Sequence, residues 1–270
     1  MPVALQVEIV EDPGDPRVAD FRDARDGHLR RRAGLFLAEG RLVVRRLLET
    51  SRFHVRSLLL TPSALDDLRD LLAGDGGLPL YVASAETVRA IVGFKFHRGC
   101  LAVAARGAPP GSEALIEPPG ARTLLALEGL ADPDNVGAVF RNAAAFGVGG
   151  VLLSPGCADP LYRKAIRVSM GTTLSLPFAR IDWALGLLRL REAGYTLLAL
   201  TPDRDAEDIG TVAGRGPGAR RLALLLGAEG AGLGPDSRAA AHRRVRIPMA
   251  AGIDSLNVAT ACAIALHRLA

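Results

Sequence analysis

Cysteine and lysine are scarce in the 270-residue chain, and long apolar runs are absent. The three cysteines, Cys100, Cys157 and Cys262, are odd in number and far apart, so they form neither a disulfide framework nor a CxxC metal or redox pair. They read as buried free thiols in a reducing compartment. The five histidines are scattered without HxxxH spacing, which argues against any structural or catalytic metal. No apolar stretch reaches the length that spans a bilayer, so no membrane association is expected. The N-terminus, MPVALQVEIVEDPGDPR, interrupts its apolar run with acids and lacks the basic-then-apolar order of a signal peptide. A soluble, cytoplasmic protein is the expectation. With 49% hydrophobic and 23% charged residues, the composition excludes a disordered chain.

Lysine occurs only at Lys95 and Lys164, which leaves the positive charge to arginine. Arginine suits bidentate phosphate recognition, although an arginine-rich composition also follows from genome base content. The net charge is +4. From Arg22 to Arg56, however, ten arginines face four acids, Asp23, Asp26, Glu39 and Glu49.

The segment Ala105–Arg122, ARGAPPGSEALIEPPGAR, holds four prolines and three glycines and reads as a linker, bounded at 107–121. It separates an N-terminal domain, 1–106, from a C-terminal one, 122–270. In the first, GRLVVRRLLET and SALDDLRDLL have helical periodicity, with Ser63 as the expected N-cap of the latter. FHVRSLLL, LPLYVA and GCLAVAA read as strands, which makes a small α/β sandwich. In the second, RTLLALEGL, GGVLLSP, YTLLALTP, RRLALLLGAEG and HRRVRIPM are strands. Helices are predicted around 136–146 and over 160–169, 182–193 and 255–269. Continuous apolar strands of this kind imply a parallel sheet covered on both faces, with ligands beyond the carboxyl ends of its strands.

Three such ends carry polar or glycine-rich sequence. After Leu127 comes EGLADPDNVGAVFRNAAAFG, with Asn135 near a helix start and Arg141 further along that helix. An arginine on an apolar helix snorkels, pairs with an acid or serves a site. After Leu226 comes GAEGAGLGP, in which Glu229 is either solvated or the anchor of a basic group. Its glycine spacing and following Pro235 do not match the dinucleotide fingerprint, and no acid follows about twenty residues on. After Ile247 comes a loop with Pro248 and Gly252, then Asp254, Ser255 and Asn257. Ser255 can cap the helix that follows, which leaves Asn257 without a role in capping.

DNVGAVFRNAAAFG, LLLGAEGAGL and IPMAAGIDSLNVATACAIAL resemble, in order and spacing, the three motifs of the SpoU (TrmH-type) RNA 2′-O-ribose methyltransferases of the SPOUT superfamily. RVSMGTTLSLPFAR resembles the segment that family keeps between its first and second motifs. More loosely, LFLAEGRLVVRRLLE and FHVRSLLLTP resemble its ribosomal-protein-like RNA-binding domain. The resemblance implies an α/β fold: a parallel-sheet SPOUT domain with a deep trefoil knot, preceded by that small α/β domain. It implies S-adenosylmethionine (AdoMet) as cofactor, held at Gly227, Ile247 and Leu256 with Leu200, Thr201 and Met249. It places Arg141 as the catalytic arginine, Asn135 and Glu229 as groups holding that arginine and the ribose, and Ser255 and Asn257 on the polar rim. It also implies a homodimer through the C-terminal domain, in which Ala259, Ala261, Ala263 and Ala265 allow close helix packing. Phe140 and Asn142, on either side of the arginine, depart from the commonest pattern.

The implied partner is structured RNA, ribosomal RNA being favoured over transfer RNA, with Arg41, Arg45, Arg46, Lys95 and Arg98 as phosphate contacts. GFKFHRG, residues 93–99, has two readings: Phe94 and Phe96 stack unpaired bases, or both lie in the core. Alternatives to a ribosomal-RNA ribose methyltransferase are a transfer-RNA 2′-O-methyltransferase, a base methyltransferase of the same superfamily, and a non-catalytic RNA-binding or ribosome-assembly protein.

Overall fold

The apolar runs become strands because they are rich in Leu and Val and are stopped by Gly, Pro or Asp on either side. A computed structural model describes residues 5–22, 34–50, 52–72, 77–94, 96, 98–108, 110–120, 122–213 and 221–270. The chain divides into two units, Met1–Ala108 with Leu161–Ser175, and Pro109–Pro160 with Leu176–Ala270.

The first unit contains β1 (Val7–Ile9), β2 (Leu35–Glu39), α1 (Arg41–Thr50), β3 (Val55–Leu60), α2 (Pro62–Leu72), β4 (Leu80–Val82), α3 (Ala85–Val92) and β5 (Cys100–Ala105). They form a five-stranded sheet in the order β1-β4-β3-β5-β2. β1, β4 and β3 run parallel, whereas β5 is antiparallel to both β3 and β2. Ser84 caps α3, accepting from the Thr87 amide at 3.0 Å. Ser63 does not cap α2. The helix starts one residue earlier, at Pro62, whose missing N–H is harmless in a first turn, and the Thr61 carbonyl receives the Ala64 and Leu65 amides. Phe96 is 3% exposed in the core beside Leu37, Tyr81 and Val103, and Phe94 packs against the same cluster.

The second unit opens with α4 (Glu113–Ile116), inside the proline-rich segment expected to be a linker; its Leu115 and Ile116 are buried. β6 (Arg122–Glu128), α5 (Pro133–Ala145) and β7 (Gly150–Leu153) follow. Next come α6 (Arg163–Val168) and α7 (Thr172–Ser175), which pack in the first unit against β2 and α1. Back in the second unit are β8 (Phe178–Arg180), α8 (Trp183–Glu192), β9 (Thr196–Leu200), β10 (Glu207–Asp208), α9 (Ile209–Ala213), β11 (Arg221–Gly227), α10 (Pro235–Ala240), β12 (Arg243–Arg246) and α11 (Val258–Leu269). The seven strands are ordered β10-β12-β9-β11-β6-β7-β8, and every pair is parallel. The middle residues of β6, β7, β9 and β11 are buried, as a sheet covered on both faces requires. One face packs Leu124, Ala126, Leu152, Leu197, Ala223 and Leu225 against Leu187 and Leu190 of α8. α11 packs on α5. Among the described residues, no helix is long and apolar enough to cross a membrane.

Candidate active site

Because all seven strands run the same way, the loops after β6, β9, β11 and β12 leave one edge of the sheet. The loop after β11 is the tightest. The Gly232 amide donates to the Ala228 carbonyl at 2.9 Å, and Gly230 and Gly232 take φ of 81° and 66°. A Cβ at Gly227 would run into the Gly232 carbonyl and the Leu233 nitrogen, so only glycine lets the chain turn back here. The far end of the loop is pinned by Glu128, the register partner of Gly227. Its carboxylate accepts from the Gly234 amide at 3.0 Å and the Ser237 hydroxyl at 2.7 Å. Ser237, fully buried, in turn accepts from the Trp183 indole at 2.9 Å. Sequence reasoning passed over Glu128; an acid closing an otherwise apolar strand was the available signal.

Beside this loop lies a cleft of about 340 Å3, within the ~300–1,000 Å3 usual for small-molecule sites. Gly227, Leu200, Thr201, Ile247, Met249 and Leu256, the expected cofactor contacts, all line it, as do Glu229, Ser255 and Asn257. Pro202, Ala228, Gly232 and Ala261 complete much of its small, apolar wall.

Asn257 caps α11, and this corrects the assignment of the cap to Ser255: the helix starts at Val258, three residues later than expected. The Asn257 side-chain oxygen accepts from the Ala259 amide at 2.9 Å and the Thr260 amide at 3.4 Å. Its side-chain N–H group donates to Asn135 Oδ1 at 2.9 Å and Glu229 Oε1 at 3.1 Å, and Asn135 donates to the same Glu229 oxygen at 2.8 Å. Three loops far apart in sequence are therefore tied by three side chains. Ser255 is exposed and hydrogen-bonds to none of them.

Asp132 caps α5 and accepts from the Asp134 amide, so Asn135 sits in the first turn with Pro133 ahead of it. Arg141 lies six residues on, about 9 Å further along the axis. It is exposed and outside the cleft lining. Among the described residues its side chain has no hydrogen bond or ion pair, and Asn135 and Glu229 hold Asn257 and each other. Asn142 donates to the Ala259 carbonyl of α11 at 2.7 Å.

Three of the expected phosphate contacts, Arg41, Arg45 and Arg46, are engaged within the chain. Arg41 pairs with Asp67 and donates to Ser63 at 2.9 Å, and Arg45 bonds Asp70 at 2.7 Å and 2.9 Å. The Arg45 guanidinium holds the Asp70 carboxyl below the usual carboxylate range. Arg46 donates to the Met170 carbonyl at 2.8 Å. Arg98 is exposed, its aliphatic stem against Gly40. Lys95 lies outside the described residues, as do Arg25 and Arg30–Arg32. Phe96 lies in the core, as one reading expected, whereas Phe94 is partly buried against it and covered by the Arg163 guanidinium, 3.7 Å from its ring centre.

Residues 122–267 match the model of the SpoU rRNA Methylase family. A relative described as an uncharacterized tRNA/rRNA methyltransferase of Mycobacterium tuberculosis is 46% identical over 98% of this chain and 92% of its own length. A 23S rRNA (guanosine-2′-O-)-methyltransferase RlmB from Burkholderia is 34% identical over 72% of this chain and 78% of its own. The crystal structure of an AdoMet-bound rRNA methyltransferase from Sinorhizobium meliloti superposes with a TM-score of 0.81 at 25% identity, covering 97% of each chain. With more than half its length matching that model, the chain belongs to the SpoU rRNA methylase family.

Proposed function

We propose that the chain is an AdoMet-dependent RNA 2′-O-ribose methyltransferase that modifies ribosomal RNA in the cytoplasm. The observation that carries this reading is the cleft: all six expected cofactor contacts line it, and the Asn135–Glu229–Asn257 cluster closes one side. Its volume, its apolar wall at Leu200, Ile247 and Leu256, and the absence of a side chain at Gly227 fit an adenosine-sized ligand. The likeness to the AdoMet-bound structure and to the RlmB relative supports cofactor and ribose target.

Bound there, AdoMet supplies a methyl group made electrophilic by its sulfonium. A ribose hydroxyl is a poor acid, so the chain must stabilise charge that develops on that oxygen. Arg141, exposed and without a side-chain partner among the described residues, can hold an RNA phosphate and stabilise the developing alkoxide. Guanidinium stays protonated in proteins, so Arg141 acts as a charge rather than as a base, and the hydroxyl proton leaves to solvent water. Asn135, Glu229 and Asn257 keep the three loops in register, and Ser255 adds a hydroxyl to the cleft wall.

The same proposal includes a knotted path and a homodimer. After β12, beside β9, the chain ends in α11 against α5, the helix following β6; this crossing beyond β9 and β11 supports the knot. Ala259 and Ala265 are buried within the chain and Ala261 lines the cleft, so the dimer face of α11 is the stripe with Thr260, Ala263 and Ile264. Domains 1–106 and 122–270 act as RNA-holding and methyl-transferring parts, joined through 107–121.

The test is incubation with tritium-labelled AdoMet and unmodified ribosomal or transfer RNA, followed by nucleoside analysis. Label in a 2′-O-methyl nucleoside of ribosomal RNA is expected. Label on a base overturns the ribose assignment, and label confined to transfer RNA overturns the target. Failure to bind AdoMet overturns the enzyme.

A further inference from the structure

α5 touches α11 along one stripe. Asn135, Val139, Asn142 and Phe146 follow i, i+4, i+7, i+11 spacing and share a face. Three of them meet α11 or its cap directly: Asn135 bonds Asn257, Asn142 bonds the Ala259 carbonyl at 2.7 Å, and Phe146 stands edge-on to His267 with ring centres 6.1 Å apart. The peptides flanking Ala259 are thereby held from both sides, because Asn257 Oδ1 accepts the Ala259 N–H at 2.9 Å. A continuous run of hydrogen bonds leads from Glu229 at the cleft, through Asn257 and Ala259, to the residue next to Arg141.

Apolar contacts resist separation of two helices but tolerate slight rotation, because dispersion is non-directional. A half-buried hydrogen bond is directional and resists it. If α5 turned by about 20° around its axis, a side chain at the 5–6 Å radius of the helix surface would swing by roughly 2 Å. A displacement of about 1 Å at a reacting group can cost on the order of 100-fold in rate. We propose that Asn142 is a positioning residue: its bond to the Ala259 carbonyl fixes the rotation of α5, and so aims Arg141 relative to the cofactor cleft. This rests on the methyltransferase reading of the site.

The test compares wild type with Asn142→Leu, which keeps the volume and removes the donor, and Asn142→Gln, which keeps the donor. Three quantities are read: the single-turnover methylation rate, the AdoMet Kd, and the Arg141 side-chain N–H resonance, assigned with Arg141→Lys. For Asn142→Leu the expected result is a fall of about tenfold in rate, with AdoMet Kd within about twofold of wild type and the Arg141 resonance displaced. Asn142→Gln should recover at least half of the loss. The proposal is overturned by a rate within twofold of wild type, or by equal losses of rate and AdoMet affinity that Gln does not rescue. If wild type binds AdoMet but methylates no RNA, the functional reading fails separately. The resonance then decides alone: displacement in Asn142→Leu supports the aiming role and an unmoved signal overturns it.

Discussion

Arg141 carries the sharpest expectation for any one side chain. It takes no part in the packing or bonding of the described chain, so Arg141→Ala should leave thermal stability and AdoMet affinity nearly unchanged. Methyl transfer should fall by about 100- to 1,000-fold, the range for loss of one preorganised donor to a developing oxyanion. Parallel loss of AdoMet binding, measured by calorimetry, would give the arginine a different role. Gly227 presents the opposite case. Its Cα faces backbone atoms of Gly232 and Leu233, which cannot move aside as a flexible side chain could. Gly227→Ala should therefore cost about 1–3 kcal/mol of stability by overpacking and should weaken AdoMet by at least about tenfold. An alanine variant with wild-type affinity would show that the loop opens without cost.

At the level of elements, α2 neutralises α1. Asp67 and Asp70 on α2 engage Arg41 and Arg45 on α1, so those arginines must exchange an intramolecular carboxylate for a phosphate before they hold RNA. Such exposed pairs are weak, about 0–1 kcal/mol each, and the exchange is feasible. Replacing both acids, Asp67→Asn with Asp70→Asn, should tighten RNA binding at low salt. It should also steepen the dependence of log K on log salt by up to about 0.9 per phosphate engaged. An unaltered slope would move the RNA surface away from α1. The same pairing explains why an excess of ten arginines over four acids in 22–56 overstated the free charge: the compensating acids belong to the next helix and lie outside that window.

For the whole molecule, the buried thiols set an alkaline limit. Burial pushes the Cys100 and Cys262 thiols up to about 12, from an ordinary value near 9. Below pH 9 both states hold these protons and the thiols impose no pH dependence. As pH rises from 9 towards 12, the unfolded chain releases protons that the folded chain retains, so stability falls. Urea midpoints measured between pH 8 and 11 should decline, and Cys262→Ala should flatten the decline despite its lower starting stability. A decline unchanged in Cys262→Ala would assign the limit to other groups.

Much of the architecture was legible in the residues because it depends on short-range pattern. Unbroken Leu-rich runs such as LALLL and LLAL, short and stopped by turn residues, fit buried strands, and that signal is local. β1, β8 and β10, of two or three residues, were missed because such lengths carry no period, and the five-residue β2 was missed as well. The expected cofactor contacts were reached through motif order, and the cleft unites them. Other features were decided by tertiary structure. Whether Asn257 or Ser255 capped α11 depended on Asn135 and Glu229 being within reach, at sequence separations of 122 and 28. Whether Phe94 met a base or an arginine depended on Arg163, distant in sequence, arriving over its ring. Hydrogen bonds and stacking act over a few ångströms in space, and a linear sequence does not record which distant residues arrive there.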